Sequence, residues 1–121
     1  MSNIDTKARV STSRALQILN VFRDMDPDMP MGQAVSFLLI AGGETKEGGG
    51  ITITELSERG EFALSSSSRY VKALGTKDRR GEPGQEVVSA PRDPLDERRK
   101  VLRLTPKGRR VLEKIEQLIG V

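Results

Sequence analysis

The chain has 121 residues, of which 36% are hydrophobic and 31% are charged, and its formal net charge is +3. It contains no cysteine and no histidine, which excludes disulfides, the usual zinc sites, and enzymes that depend on a Cys or His nucleophile or a His base. Length and composition together predict one soluble domain, residues 1–121, with a single modest core.

The positive charge is concentrated in the second half of the chain. Residues 69–110 carry 13 Lys and Arg against 6 Asp and Glu, whereas the remaining residues carry 7 against 11. A basic block of this kind predicts an anionic partner on one face, although a solvated surface that merely favours arginine would give the same count. No apolar run is long enough to cross a bilayer and the N-terminus has no apolar signal region, so we expect a cytoplasmic location and no membrane partner.

Residues 1–41 predict two helices. Ser11 or Ser13 can cap a first helix that runs to about Asp26, with an inward face of Ala15, Leu16, Leu19, Phe22 and Met25. A second helix over residues 31–41 is nearly all apolar, so we expect it to be buried on most sides. The glycine-rich residues 42–50 predict a flexible connection; a phosphate-binding loop is the alternative, but the Gly-Lys-Ser/Thr ending is missing.

Residues 51–104 predict a helix, a turn, a second helix and a β-hairpin. Thr52 and Glu55 fit a capping box at the start of the first helix, which ends near Gly60, and the second runs from about Leu64 to Leu74. A polar, basic loop over 75–84 leads to strands at 85–90 and 99–104. Thr105 then caps a helix over 106–119, with an apolar face of Val111, Leu112, Ile115, Leu118 and Ile119.

This order of elements predicts an α+β fold that is mainly α: a winged helix-turn-helix with a two- to three-stranded β-wing, N-terminal helices and a C-terminal helix. In the helix over 64–74, helical spacing turns Ser67, Val71 and Leu74 inward. The residues left outward can contact bases or phosphates: Ser65, Ser66, Ser68, Arg69 and Lys72. Four serines in a row also fit a flexible loop, and the basic residues of the wing also fit a solvated hairpin surface.

The segments Thr52-x-x-Glu55-Leu56, Ser65-Ser66-x-Ser68-Arg69-x-Val71-x-x-Leu74 and Leu104-Thr105-Pro106-Lys107-Gly108 resemble the MarR family of bacterial transcription regulators. The resemblance covers roughly residues 51–119, and the Gly81-Glu82-Pro83-Gly84 loop is similar to that of compact members from bacteriophages and prophages. It implies that Ser65, Ser66, Ser68 and Arg69 contact DNA, with Arg98 in the wing supported by Asp96. Arg99 and Lys100 are expected phosphate contacts by charge alone.

Two departures from the family pattern affect these expectations. The turn between the two helices reads Gly60-Glu61 where the family usually has Leu-Gly, so the angle of the recognition helix is not fixed by the resemblance. The second departure is that longer MarR proteins have another helix after the residues that match this chain, and that helix builds much of their dimer interface. We therefore expect a homodimer here to use the N-terminal helix and the 106–119 helix.

The sequence therefore predicts a sequence-specific regulator of transcription that binds double-stranded DNA in the cytoplasm of a bacterium or an infected host cell. The alternative is a phage-type winged helix that binds host transcription machinery or another regulator. We expect no enzyme activity, because the paired carboxylates are not accompanied by a nucleophile and base. We also expect no cofactor, no metal site and no small-molecule effector.

Overall fold

The computed structural model describes residues 3–77 and 80–120, with side chains from Thr6 onward. Over these residues the chain forms five helices and four short strands. In chain order they are α1 (Asn3–Met25), α2 (Met31–Gly42), α3 (Ile53–Gly60), α4 (Leu64–Leu74), β1 (Val88–Ser89), β2 (Arg92–Asp93), β3 (Asp96–Lys100), β4 (Arg103–Leu104) and α5 (Pro106–Ile119). The predicted mainly helical winged-helix architecture is confirmed.

The core is built around α2, which packs against α3 and α4, while α1 packs along α5. Phe37 and Ile40 of α2 are fully buried, and the Phe37 ring meets Phe22 of α1 edge-on, with ring centroids 5.8 Å apart. Leu56 and Leu74 close the core from α3 and α4. Replacing a buried Phe by Ala typically lowers the free energy of unfolding by about 3–5 kcal/mol. The side chains of α2 that fill the core therefore contribute strongly to holding the other helices in place.

The wing is a hairpin whose hydrogen bonding is interrupted halfway along. β1 pairs with β4 at the base and β2 pairs with β3 at the tip, in both cases antiparallel. Between the pairs lies Pro91, which has no N–H to donate to a ladder; its carbonyl oxygen still accepts from Val101 N at 2.9 Å. Ile51 adds a bridge to Leu102 at the base, where Val101 and Leu102 are buried.

Helix α1 differs from its prediction in start and in orientation. It begins at Asn3, not at Ser11 or Ser13, because no proline or glycine interrupts the preceding residues. Its inward residues include Ile18, Val21, Phe22 and Met25, whereas Leu16 and Leu19 are about half exposed and Ala15 is also exposed. Every residue from 6 to 17 is exposed, so this half of α1 projects beyond the core.

Details of α2, α5 and the wing also differ from their predictions. Most residues of α2 are buried or half-buried, as predicted, but Met31, Val35 and Leu38 form an exposed stripe along it. The predicted strand over 85–90 is reduced to Val88–Ser89, since Glu86 adopts a left-handed φ of 58° that a regular strand excludes. The strand predicted over 99–104 is divided between β3 and β4, and Ile119 of α5 is exposed.

The connection between α2 and α3 is not a flexible linker. Arg103 donates to the carbonyl oxygens of Thr45, at 3.1 Å, and Gly49. The Glu44 carboxylate accepts from Arg109 at 2.9 Å and from Leu104 N at 3.2 Å. These bonds fix the loop against the base of the wing and α5. In the loop predicted over 75–84, Lys77 bridges to Pro83; residues 78 and 79 lie outside the described residues.

Candidate nucleic-acid interface

Helix α4 has the bounds predicted for the recognition helix and presents the predicted inward and outward faces. Ser67 and Leu74 are fully buried, and Val71 packs against the core. Ser65, Arg69 and Lys72 are exposed, whereas Ser66 and Ser68 are half-buried. No side chain caps the helix at Ala63, so N–H groups of its first turn are available to an anion.

Two contacts hold α4 in position. The Tyr70 ring lies edge-on to Phe62, with centroids 5.3 Å apart, and it passes so close to α2 that a Cβ on Gly32 would lie 2.5 Å from its hydroxyl oxygen. At the crossing with α3, the hydroxyl oxygens of Ser57 and Ser67 lie 2.7 Å apart. Tyr70 is therefore a packing residue, and the absence of a side chain at Gly32 lets α4 approach α2.

The turn between α3 and α4 has a defined geometry despite its departure from the family pattern. Phe62 N donates to Ser57 O at 3.0 Å and Glu61 N to Glu58 O at 3.4 Å, which is the hydrogen-bond pair of a Schellman motif. Glu61 occupies its left-handed position, with φ 57° and ψ 42°. A Cβ on Gly60 would overlap the Phe62 ring. Glu61 therefore adopts the left-handed conformation that the turn requires, and Gly60 leaves room for the Phe62 ring.

The tip of the wing is held by local side-chain bonds. Asp93 Oδ1 accepts from Leu95 N at 2.9 Å. Asp96 Oδ1 accepts from both the backbone N, at 3.1 Å, and the Nε, at 3.2 Å, of Arg98. Arg98 is nonetheless 92% exposed in its side chain, so its remaining guanidinium donors face solvent. The structure thus places the Asp96 carboxylate beside Arg98, where it can orient the guanidinium.

The next two residues of β3 have different surroundings. Lys100 is exposed. Arg99 Nη2 lies 3.3 Å from Glu55 Oε1 of α3, and its Nε lies 3.6 Å from Asp93 Oδ2. The prediction from charge alone took no account of these two carboxylates, because Glu55 lies 44 residues away in the sequence and the pairing of β2 with β3, which brings Asp93 near Arg99, was not predicted.

Glu55 is thus both a helix-capping residue and an ion-pair partner. Its Oε1 accepts from Thr52 N at 3.1 Å, and Thr52 Oγ1 accepts from Glu55 N at 3.1 Å, which confirms the predicted capping box. The bond from the Thr52 backbone lowers the pKa of the Glu55 carboxyl most; desolvation opposes this, while the Thr52 hydroxyl and the charges of Arg59 and Arg99 lower it further. The carboxylate is therefore held charged and in a fixed orientation.

No group of three or more side chains that could hold a metal ion occurs within residues 3–77 and 80–120. In the same part of the chain, no helix combines the length and the apolar content needed to span a bilayer.

The fold is that of the MarR-type winged-helix regulators. The chain resembles a mutant of S. aureus MepR bound to an oligodeoxyribonucleotide, with a TM-score of 0.65 and 13% identity over 98% of this chain and 77% of that one. It resembles RV1404 from Mycobacterium tuberculosis with a TM-score of 0.63 and 19% identity, covering 98% of this chain and 74% of that one. For a mutant of E. coli MarR complexed with operator DNA, the values are 0.57 and 20%, covering 97% and 76%.

No protein-family model matches the sequence, and no curated protein matches it. At identities of 13–20%, the similarity to solved structures establishes the fold. The role of each side chain is inferred from its position and contacts in this chain.

Proposed function

We propose that this chain is a sequence-specific, double-stranded-DNA-binding regulator of transcription with one winged-helix domain. In this proposal α4 enters the major groove, and the wing lies on the backbone or in the minor groove. The observation that carries it is the joint exposure, on a fold shared with DNA-bound structures, of the polar face of α4 and of Arg98 in the wing.

The residues of α4 suit close approach to base edges. Ser65 and Ser66 lie in the first turn, where small hydroxyls leave room for the groove and free N–H groups attract phosphate. Ser68, Arg69 and Lys72 continue along the helix, and an arginine can donate two bonds to a guanine. In this role α4 supplies sequence preference.

The wing supplies a second contact. Arg98 would reach the minor groove or a phosphate, with Asp96 fixing the orientation of its guanidinium, and Lys100 would contact phosphate. Charge neutralisation of this kind gives most of the affinity and makes it salt-dependent. Arg99, which was also expected to contact phosphate, lies between the carboxylates of Glu55 and Asp93 and is not assigned that contact.

A homodimer formed through α1 and α5 belongs to the same proposal. Residues 6–17 of α1 project beyond the core, with exposed apolar side chains at Val10, Leu16 and Leu19. Burying them against a second copy would remove this apolar surface from water. Two copies would place two α4 helices on half-sites about one helical turn apart. Such a protein would act on DNA in the cytoplasm and without a small-molecule effector.

The interface is tested with Arg98→Ala and Arg69→Ala, each titrated with duplex DNA across a salt series. We expect each to weaken binding by about 5- to 150-fold if it contacts a base and by less if it contacts phosphate, with unchanged thermal unfolding because both side chains are exposed. Lys46→Ala removes one exposed positive charge from the loop between α2 and α3, outside α1, α4, α5 and the wing, and serves as the charge-matched control.

Equal affinity of the Arg98→Ala and Lys46→Ala proteins at moderate salt would contradict the role of the wing. Weak binding of the parent protein without any sequence preference would instead favour a winged helix that binds another protein.

A further inference from the structure

Four charged side chains of alternating sign connect α3 to the wing. Arg59 Nη2 lies 3.6 Å from Glu55 Oε2, Glu55 Oε1 lies 3.3 Å from Arg99 Nη2, and Arg99 Nε lies 3.6 Å from Asp93 Oδ2. We refer to Glu55, Arg99 and Asp93 as the wing bridge; Arg59 pairs with Glu55 within α3 and lies outside the bridge. It joins the helix-turn-helix to the part of the wing that is furthest from the core.

Arg99 differs in position from the basic residues on either side of it. Successive residues of a strand point to opposite faces, so Arg98 and Lys100 of β3 share one face and Arg99 lies on the other. The Arg99 side chain is 46% exposed against 92% for Arg98. Its guanidinium lies between two carboxylates, which neutralise it before any phosphate approaches.

The anchor that receives Arg99 is itself held in place. The bond from Thr52 N to Glu55 Oε1, at 3.1 Å, fixes the carboxylate at the start of α3, so little side-chain freedom is lost when Arg99 binds it. At the other end, Asp93 is only 15% exposed in its side chain and also accepts from Leu95 N. Arg99 thus connects two carboxylates, each of which is oriented by a hydrogen bond from the backbone N–H of a nearby residue.

The tip of the wing has few backbone hydrogen bonds that connect it to the rest of the domain. Within the described residues, β2 and β3 pair with each other, and the ladder to the base is interrupted; the bond from Val101 N to Pro91 O crosses that gap. A two-stranded hairpin is marginally stable by itself. An ion pair to α3 therefore restricts the angle between the tip and the helices.

We propose that Arg99 is a positioning residue, which pairs with Glu55 to hold the wing at a fixed angle to α3 and α4 and does not contact phosphate. The part of this inference that concerns DNA rests on the proposed function: a fixed angle determines where Arg98 meets DNA when α4 occupies the groove. The part that concerns the wing itself stands on the geometry alone.

The variant Glu55→Gln gives opposite results under the two roles of Arg99. Glutamine retains the capping box, because its oxygen still accepts from Thr52 N, but it loses the ion pair. If Arg99 contacts phosphate, removing a negative charge beside it strengthens DNA binding. If Arg99 positions the wing, Glu55→Gln weakens binding, by about threefold to tenfold, a fraction of the loss expected for a contacting arginine. Arg59→Gln is the matched control, since it leaves Glu55 paired with Arg99, and we expect it to bind more tightly than Glu55→Gln.

The salt dependence of Arg99→Ala distinguishes the same two roles. Loss of a phosphate contact lowers the magnitude of the slope of log K against log salt by about 0.9. The comparison is made in an Arg98→Ala, Lys100→Ala background, where the wing has no other phosphate contact to lose, and there the loss of a positioning residue leaves both the affinity and the slope as they were. The double variant with Glu55→Gln should then bind no more weakly than Arg99→Ala, because both changes remove the same ion pair. A reduced slope with additive losses would overturn the proposal.

A distance measurement between the wing and α3 tests the wing bridge in the absence of DNA. The chain has no cysteine, so spin labels can be placed at Leu95→Cys, 89% exposed at the tip of the wing, and at Glu58→Cys, exposed on α3. In samples diluted with unlabelled protein, so that a dimer carries at most one labelled copy, we expect a narrow distance distribution in the parent and in Arg59→Gln, and a broad one in Glu55→Gln and Arg99→Ala. Unchanged distributions in all four would overturn the bridge. If the distributions broaden as expected but the parent shows no sequence-specific DNA binding, the proposed function fails and the bridge stands.

Discussion

The turn between α3 and α4 leads to a prediction that separates backbone strain from side-chain contacts. Glu61 has φ 57°, and a left-handed conformation costs a residue other than glycine roughly 1–2 kcal/mol. Glu61→Gly removes that cost but makes the unfolded chain more flexible, which costs roughly 0.5–1 kcal/mol. We therefore expect a net stabilisation of about 0.5–1 kcal/mol. For 121 residues this corresponds to a rise in Tm of about 2–5 °C.

The assay is thermal unfolding followed by circular dichroism, supported by urea unfolding with an unchanged slope. Glu61→Gln retains the strained backbone and removes the charge, so it should leave Tm nearly unchanged. Gly81→Ala should lower Tm. Gly81 has φ 82°, and a Cβ added there would meet nothing within 4 Å, so this substitution adds only backbone strain. A fall in Tm for Glu61→Gly would refute the reasoning and show that the Glu61 side chain stabilises the turn.

Three further predictions concern the surroundings of the site. Gly32→Ala should cost about 1–3 kcal/mol, measured by urea unfolding, because the new methyl group meets the rigid Tyr70 ring. Glu44→Ala should speed amide exchange in residues 43–50 and cost about 1–3 kcal/mol, since Leu104 N and the guanidinium groups of Arg109 and Arg103 lose the carboxylate that they contact. The lowered pKa of Glu55 means that the folded state binds fewer protons than the unfolded state just below pH 4.5. Its contribution to stability is therefore present above pH 4.5 and lost as the pH falls through the folded pKa, and a pH series of Tm should show a smaller acid loss for Glu55→Gln.

Each comparison has a control on the same element. Gly42 is also on α2, and a Cβ there would meet nothing within 4 Å, so Gly42→Ala should not destabilise the protein. Glu47 is exposed in the same loop as Glu44, and Glu47→Ala should leave the exchange rates unchanged. Equal destabilisation by Gly32→Ala and Gly42→Ala would contradict the close approach of Tyr70, and equal exchange in both glutamate variants would contradict the fixed loop.

The parts of the fold that were predicted correctly depend on local chemistry. The bounds of α4 follow from helical spacing, with Ser67 and Leu74 inward, and the starts of α3 and α5 follow from hydroxyl caps. Thr105 Oγ1 indeed accepts from Gly108 N at 3.1 Å. Each of these signals lies within a few residues of the feature it predicts.

The parts that were missed depend on contacts between distant residues or on competing local signals. Ser11 and Ser13 are acceptable caps, yet the helix continues through them because the preceding residues also favour it. The fixed loop over 43–50 depends on Leu104 N and Glu44, which are 60 residues apart, and composition alone indicates flexibility there. Arg99 was assigned to phosphate for the same reason: its carboxylate partner on α3 is not visible in the local sequence.

The most direct test of the central claim is the preference of the protein for one DNA sequence. A duplex selected from a random library and a shuffled duplex of the same composition would be titrated with the parent protein across a salt series. We expect the selected duplex to bind about a thousandfold more tightly at physiological salt, with Arg98→Ala and Arg69→Ala weakening that binding. Equal, salt-sensitive affinity for the two duplexes, or no binding to either, would contradict the claim that this chain is a sequence-specific regulator.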